Sequence, residues 1–154
     1  MKPIQTWLAE YGESHQHQTN KLIHWICVPA IFFSIFGLLF SIKLPVNLFG
    51  HPLPLILVLF VLLLLYYARL SFSISIGMLL IGILCTGACM FINRISPLPL
   101  WQVCIIIFVL AWIGQFYGHK IEGKKPSFLK DLQFLLIGPA WLLSFIYKKL
   151  GIRL

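Results

Sequence analysis

Charge is what this sequence has least of. Asp, Glu, Lys and Arg make up 10% of its 154 residues, where a soluble domain carries about 25%. Acids are scarcer still: there are four, and Asp131 is the one aspartate. So few charges cannot cover a water-facing surface, which excludes an ordinary soluble domain. The lone aspartate and the lack of a GxSxG elbow leave Ser/His/Asp catalysis unsupported. There is no HExxH pair and no CxxC pair, so the common zinc spacings are missing too. Cys27, Cys85, Cys89 and Cys104 all lie inside apolar runs. They read as small apolar fillers and do not define a redox compartment. No cleavable signal peptide is expected, because the first apolar run follows a polar stretch containing Glu10 and Glu13 rather than a basic one.

What the sequence has in abundance is apolar surface. Hydrophobic residues account for 60% of the chain, and the net charge is +8. Basic residues flank the apolar runs, which fits orientation in a membrane and attraction to anionic headgroups. No basic stripe with interleaved aromatics occurs, so nucleic acid is not an expected partner. The expected fold is all-α, a polytopic membrane helix bundle forming a single integral membrane domain over residues 1–154.

Four runs approach the roughly 20 apolar residues that span a bilayer. They are Leu22 to Ile42, with Pro29 as a possible kink, Leu53 to Ala68, Leu70 to Ile92, and Leu100 to His119. The segment from Lys43 to Pro52 reads as a loop. Before the first run, Ile4, Trp7, Leu8 and Tyr11 fall on one helical face. This predicts an N-terminal interfacial helix from Lys2 to Tyr11, with Trp7 at headgroup depth; an ordinary packing helix is the alternative. A basic linker from Lys120 to Lys130 leads to a last apolar run, Leu132 to Tyr147, broken by Gly138 and Pro139. That run reads as re-entrant half-helices or an interfacial segment in preference to a fifth membrane helix. With four spans, Lys2, Lys21, Arg69, Lys120, Lys124 and Lys125 share one side, and Lys43 and Arg94 the other. Both termini are therefore expected in the cytoplasm.

The polar residues gather at two places. His15, His17 and His24 surround the start of the first span, and His119 ends the fourth. The Lys and Arg count alone puts both places at the cytoplasmic face. Asn20 lies one turn before His24, Gln115 one turn before His119, and Glu122 three residues after it. Neutral imidazoles of His15, His24 and His119 could hold iron, zinc or copper there. Asn20, Gln115 and Glu122 could orient the rings. His17 is the bystander, and His51 belongs to the opposite face. Read from the residues alone, the choices stay open: a metal-dependent oxygenase, a zinc-dependent lipid hydrolase, a haem protein ligated by His24 and His119, or a lipid-binding protein.

The stretch YGESHQHQTNKLIHWICVP, residues 11–29, resembles the N-terminal signature of the membrane 2-hydroxy fatty acid dioxygenases. AWIGQFYGHKIEGKKPS, residues 111–127, resembles the second signature of that family, Gln-x-x-Gly-His-x-x-Glu followed by Pro. The resemblance covers nearly the whole chain. It implies iron(II) as cofactor, and a 2-hydroxy fatty acid and molecular oxygen as substrates, the acid losing one carbon. It also implies a multi-pass protein of the bacterial inner membrane or the endoplasmic reticulum. His15, Asn20 and His24 match the first motif, and Gln115, His119 and Glu122 the second. His15, His24 and His119 are then the metal ligands. Three protein ligands leave room on the metal for the carboxylate and hydroxyl of the acid and for oxygen. Lys120, Lys124 and Lys125 are expected to attract the carboxylate. The sequence departs from the family at Gln18, where a proline is common.

Overall fold

The computed structural model of the chain describes residues 2–48, 50–125 and 133–154. Six helices account for most of it: α1 (Ile4–Gly12), α2 (Gln18–Ser41), α3 (Leu55–Leu70), α4 (Phe72–Ile95), α5 (Leu100–Glu122) and α6 (Gln133–Leu150). Strands β1 (Lys43–Leu48) and β2 (His51–Pro54) form a small antiparallel hairpin between α2 and α3. Residues 126–130 of the basic linker, Asp131 and Leu132 lie outside the described residues, so the proline of the second motif and the start of the last apolar run do as well.

α2, α4 and α5 are long and apolar enough to cross a membrane, and α3 is a shorter apolar helix. The outer faces of these helices are hydrocarbon. Leu62, Leu65, Leu80, Ile83, Leu84, Leu110 and Ile113 are all more than half exposed. In water that continuous surface would drive aggregation; in lipid it is the solvated face. The protein is therefore a membrane protein built from helices.

α2 is the central element, running unbroken through Pro29 and packing lengthwise on α5. The two approach closely because glycine is placed where they cross. A methyl group at Gly118 would collide with the Asn20 amide, and one at Gly37 with the Cys104 sulfur. Small residues at helix contacts in lipid permit dispersion contact along the whole seam. All four cysteines are free and buried, as filler residues should be. α3 and α4 form a tight hairpin joined through extended Ser71, whose hydroxyl caps α4 by accepting from the N–H of Ile74 at 3.4 Å.

Three local expectations are corrected. The segment after α2 is a strand hairpin rather than a loop. Pro45, Pro52 and Pro54 are accommodated because in a two-stranded ribbon every strand is an edge, where a missing N–H is tolerated. The last apolar run is one continuous helix through Gly138 and Pro139, not a pair of half-helices. And α1 turns its apolar face to α6 instead of to headgroups. Trp7 is buried edge-to-face against Phe134, with ring centroids 5.5 Å apart.

α1 and α6 lie together over one end of the apolar helices. The Tyr67 hydroxyl, near the end of α3, donates to the Leu136 carbonyl at 2.6 Å. The Tyr147 hydroxyl donates to the Ser73 carbonyl, at the start of α4, at 2.7 Å. Ile4, Ile74, Met78, Ala140 and Leu143 fill the space between these bonds. The opposite end is packed by Phe36, Phe40, Ile56, Phe60 and Leu100, without any residue of α1 or α6. By the excess of Lys and Arg at the end where α1 and α6 lie, a reporter fused after Leu154 is expected in the cytoplasm and one inserted at Asn47 on the far side. A fusion after Leu154 that reports the far side would overturn this orientation.

Candidate metal centre

Gly12 ends α1, and the short turn that follows carries His15 back over the start of α2. The turn is shaped by the N–H of His15 donating to the Gly12 carbonyl at 3.0 Å. α2 places Asn20 and His24 one turn apart, and α5 brings Gln115 and His119 opposite them. Because Gly118 lets α5 approach Asn20, the adjacent His119 reaches the same point. The ring centroids of His15, His24 and His119 lie 4.1 Å (His15–His24), 5.0 Å (His15–His119) and 4.8 Å (His24–His119) apart, with every pair of rings strongly inclined. One nitrogen from each ring lies within 4.8 Å of the others, and all three side chains are buried.

The protonation of two rings is set by the main chain. Nδ1 of His15 is 2.6 Å from the Tyr11 carbonyl, and Nδ1 of His24 is 2.9 Å from the Asn20 carbonyl. A carbonyl can only accept, so Nδ1 carries the proton in each ring and Nε2 keeps its lone pair. Nε2 of His15 and Nδ1 of His119 are buried without a partner among the described residues. Buried polar atoms are seldom left so. Three neutral imidazoles with convergent, unused nitrogens fit a divalent transition metal. Burial also pushes the His15 imidazole down to about 4, so this ligand is neutral at physiological pH.

Glu122 does not offer its carboxylate to the rings. It accepts from the main-chain N–H of Gln16 and of His17, both at 2.8 Å, and from the Asn20 amide at 3.1 Å. The Asn20 amide also donates to the Ser14 carbonyl at 3.2 Å. Glu122 and Asn20 thus fasten the His15 turn to α2 and α5. His17 caps α2, its ring accepting from the N–H of Thr19 at 3.2 Å, and stays exposed. Gln18 is the first helical residue, where proline is well tolerated because its N–H would be unpaired anyway. The departure from the family pattern therefore costs no hydrogen bond.

The histidines form the head of a cavity of about 390 Å³ whose remaining wall is almost wholly apolar. Gln115 reaches this head, and its amide has no hydrogen bond among the described residues. Lys120, Lys124 and Lys125 do not line the cavity. Lys124 is engaged elsewhere, donating to the Glu13 carbonyl at 2.6 Å. His51 lies in the β-hairpin, far from the site.

Sequence reasoning missed the aromatic wall. Tyr11 stacks flat on His15 at 4.3 Å and 11°, and Trp141 of α6 leans on both rings at 5.3 Å and 5.2 Å. Tyr11 was visible as part of the apolar face of α1. Nothing in the spacing said that this face meets a site instead of lipid.

A family model described as 2-hydroxy-palmitic acid dioxygenase Mpo1-like matches residues 1–150. The chain belongs to this family. It is also 29% identical to 2-hydroxy-palmitic acid dioxygenase MPO1 of Saccharomyces cerevisiae over 150 residues, which is 96% of this chain and 82% of the yeast protein. No solved structure matches. The two motifs that carry the family resemblance are the two segments that supply the convergent histidines.

Replacing His15, His24 or His119 by Ala should abolish metal retention by the purified protein, whereas His51→Ala should keep it. Glu122→Gln should weaken retention by about 10–100-fold, the range for residues that orient ligands. It puts an amide N–H2 where a main-chain N–H needs an acceptor. Metal content by mass spectrometry checks this, and equal loss in His51→Ala would refute the assignment.

Proposed function

We propose that this protein is an iron(II)-dependent dioxygenase that shortens long-chain 2-hydroxy fatty acids by one carbon. The observation that carries the reading is three convergent imidazole nitrogens at the head of an apolar cavity. Membership of the family and the yeast relative's name support it, as does a cavity fitted to one polar head on a long hydrocarbon. Iron(II) bound by His15, His24 and His119 would supply the one-electron chemistry through which dioxygen reacts with a closed-shell acid.

The chain's own residues do the remainder. The Tyr11 and Asn20 carbonyls hold the protons on the Nδ1 atoms of His15 and His24, so the opposite nitrogens face the head of the cavity as lone pairs. Glu122 and Asn20 fix the turn that bears His15. The Gln115 amide, buried and without a hydrogen bond among the described residues, offers a donor to the carboxylate or hydroxyl of the acid and fixes which end of the molecule enters the head. Tyr11 and Trp141 cover the His15 ring and screen it from water, which strengthens the polar contacts there. The linker lysines do not take the carboxylate in this reading, because they stand away from the cavity.

A haem between His24 and His119 is disfavoured by the packing. Rings whose centroids are 4.8 Å apart, with His15 beside both, leave no space for a porphyrin plane.

Purified protein supplied with iron(II) in air should convert a 2-hydroxy fatty acid to an acid one carbon shorter. A plain fatty acid of equal length should react far more slowly, since it lacks the second oxygen. Zinc should not replace iron, because it has no redox chemistry. Product mass spectrometry under air and under argon decides between readings. Equal turnover without oxygen, or with zinc alone, would overturn the oxygenase reading.

A further inference from the structure

The cavity is not sealed along its length. Its floor is one strip of α2 that bears His24, Val28, Ile31, Ile35 and Leu39. Successive helical residues turn by about 100°. The strip therefore lies between the face of α2 that packs on α5, where Cys27 meets Gly114, and the face that meets α3, where Phe36 meets Phe60. Wall residues that face only the cavity are well covered: Val28, Ile31, Ile56 and Phe60 are each less than a tenth exposed. Ile35 and Leu59 line the same cavity, yet they are 37% and 39% exposed. On α3, Leu59 stands between Leu63, which lines the cavity, and Leu62, which faces outward. At these two residues the cavity opens sideways, and what lies outside an apolar, membrane-crossing helix is hydrocarbon.

We propose that the 2-hydroxy acid reaches the histidines by moving sideways out of the bilayer through this slot, with Ile35 and Leu59 as its lips. This rests on the acid-binding reading above and names the source of the acid and the residues it passes. Depth favours the route. From His24 to Ile35 the helix rises about 16 Å, at about 1.5 Å per residue. That is about half the thickness of a bilayer's hydrocarbon core. A single-chain acid lying in one leaflet has the same proportions, with its carboxylate at the headgroups and its last carbons near the midplane. It can slide in without drawing its head into hydrocarbon, where an unpaired polar group is costly, or its tail into water. From the water side, Tyr11 and Trp141 cover the His15 ring.

The slot has a consequence for the tail. An extended alkyl chain advances about 1.25 Å per carbon, so about thirteen carbons reach Ile35. Methylenes beyond that point exchange one hydrocarbon surrounding for another. The protein sets no sharp upper limit on chain length.

The test places the metal-loaded protein in phosphatidylcholine vesicles, under argon. A fraction of the lipid carries a diazirine at the tail end of one acyl chain. Light converts it to a carbene that inserts into whatever it touches, and peptide mass spectrometry reads the residues that carry lipid adducts. Adducts should appear on the outward-facing Leu62 and Leu84, on both lips, and on the buried Ile31 and Phe60 inside. A saturated 2-hydroxy acid added to the vesicles should remove most of the adducts at Ile31 and Phe60 and leave those at Leu62 and Leu84. Ile35→Trp and Leu59→Trp fill the mouth and should each lower the interior adducts severalfold without added acid; Leu59→Phe should do so less. If the Trp variants do not insert, the unaltered protein decides alone. Adducts confined to outward-facing residues would overturn the proposal, and so would interior adducts that the acid does not remove. In either case, product formed by the same vesicles in air leaves the acid-binding reading standing, whereas no acid protection and no product remove that reading as well.

Discussion

The contact between α2 and α5 is the constraint on which the rest of the molecule depends. Helices in lipid gain nothing from hiding hydrocarbon from water, so they adhere through close packing and internal hydrogen bonds. Gly37 and Gly118 give these two helices the proximity that such packing needs. The same proximity brings His119 against His24 and lets Glu122 reach the turn before α2. A larger residue at 118 would drive the Asn20 amide away, and with it the turn that carries His15. The site is thus a by-product of the tightest seam in the bundle.

Polar groups at this depth have few partners other than one another. Six that the sequence scatters over more than a hundred positions, His15, Asn20, His24, Gln115, His119 and Glu122, meet at one end of the bundle. Their hydrogen bonds run largely to main-chain groups: carbonyls of Tyr11, Ser14 and Asn20, and N–H groups of Gln16 and His17. Main-chain partners cannot be rotated away, so the rings are held more firmly than by side chains alone. What is left over, the bare ring nitrogens and the Gln115 amide, is directed at the cavity.

Much of this was legible in the sequence, and the reasons are physical. Apolar runs mark helices whatever their arrangement, and the basic residues between them place His15, His24 and His119 at one face. The motifs Asn-x-x-x-His and Gln-x-x-Gly-His-x-x-Glu supplied the same residues. The last helix was not legible. Gly138 and Pro139 look like a break until neighbours are present to support the helix through them, and α1, α2 and the ends of α3 and α4 supply that support. Trp141 and the inward direction of Tyr11 were hidden for the same reason, because both depend on where α6 lies. The strand hairpin was missed because three prolines count against strands everywhere except at an edge.

Glu122 grips the turn through the N–H groups of Gln16 and His17, and not through their side chains. A carboxylate that reads only main chain is indifferent to which residues it holds. A change at position 16 or 17 accordingly leaves this grip intact in any relative, with proline as the one residue it forbids, although the His17 ring also caps α2, while Glu122, 106 and 105 residues away in sequence, is not free at all. A stretch that looks variable in such a comparison is therefore no guide to how rigidly it is held.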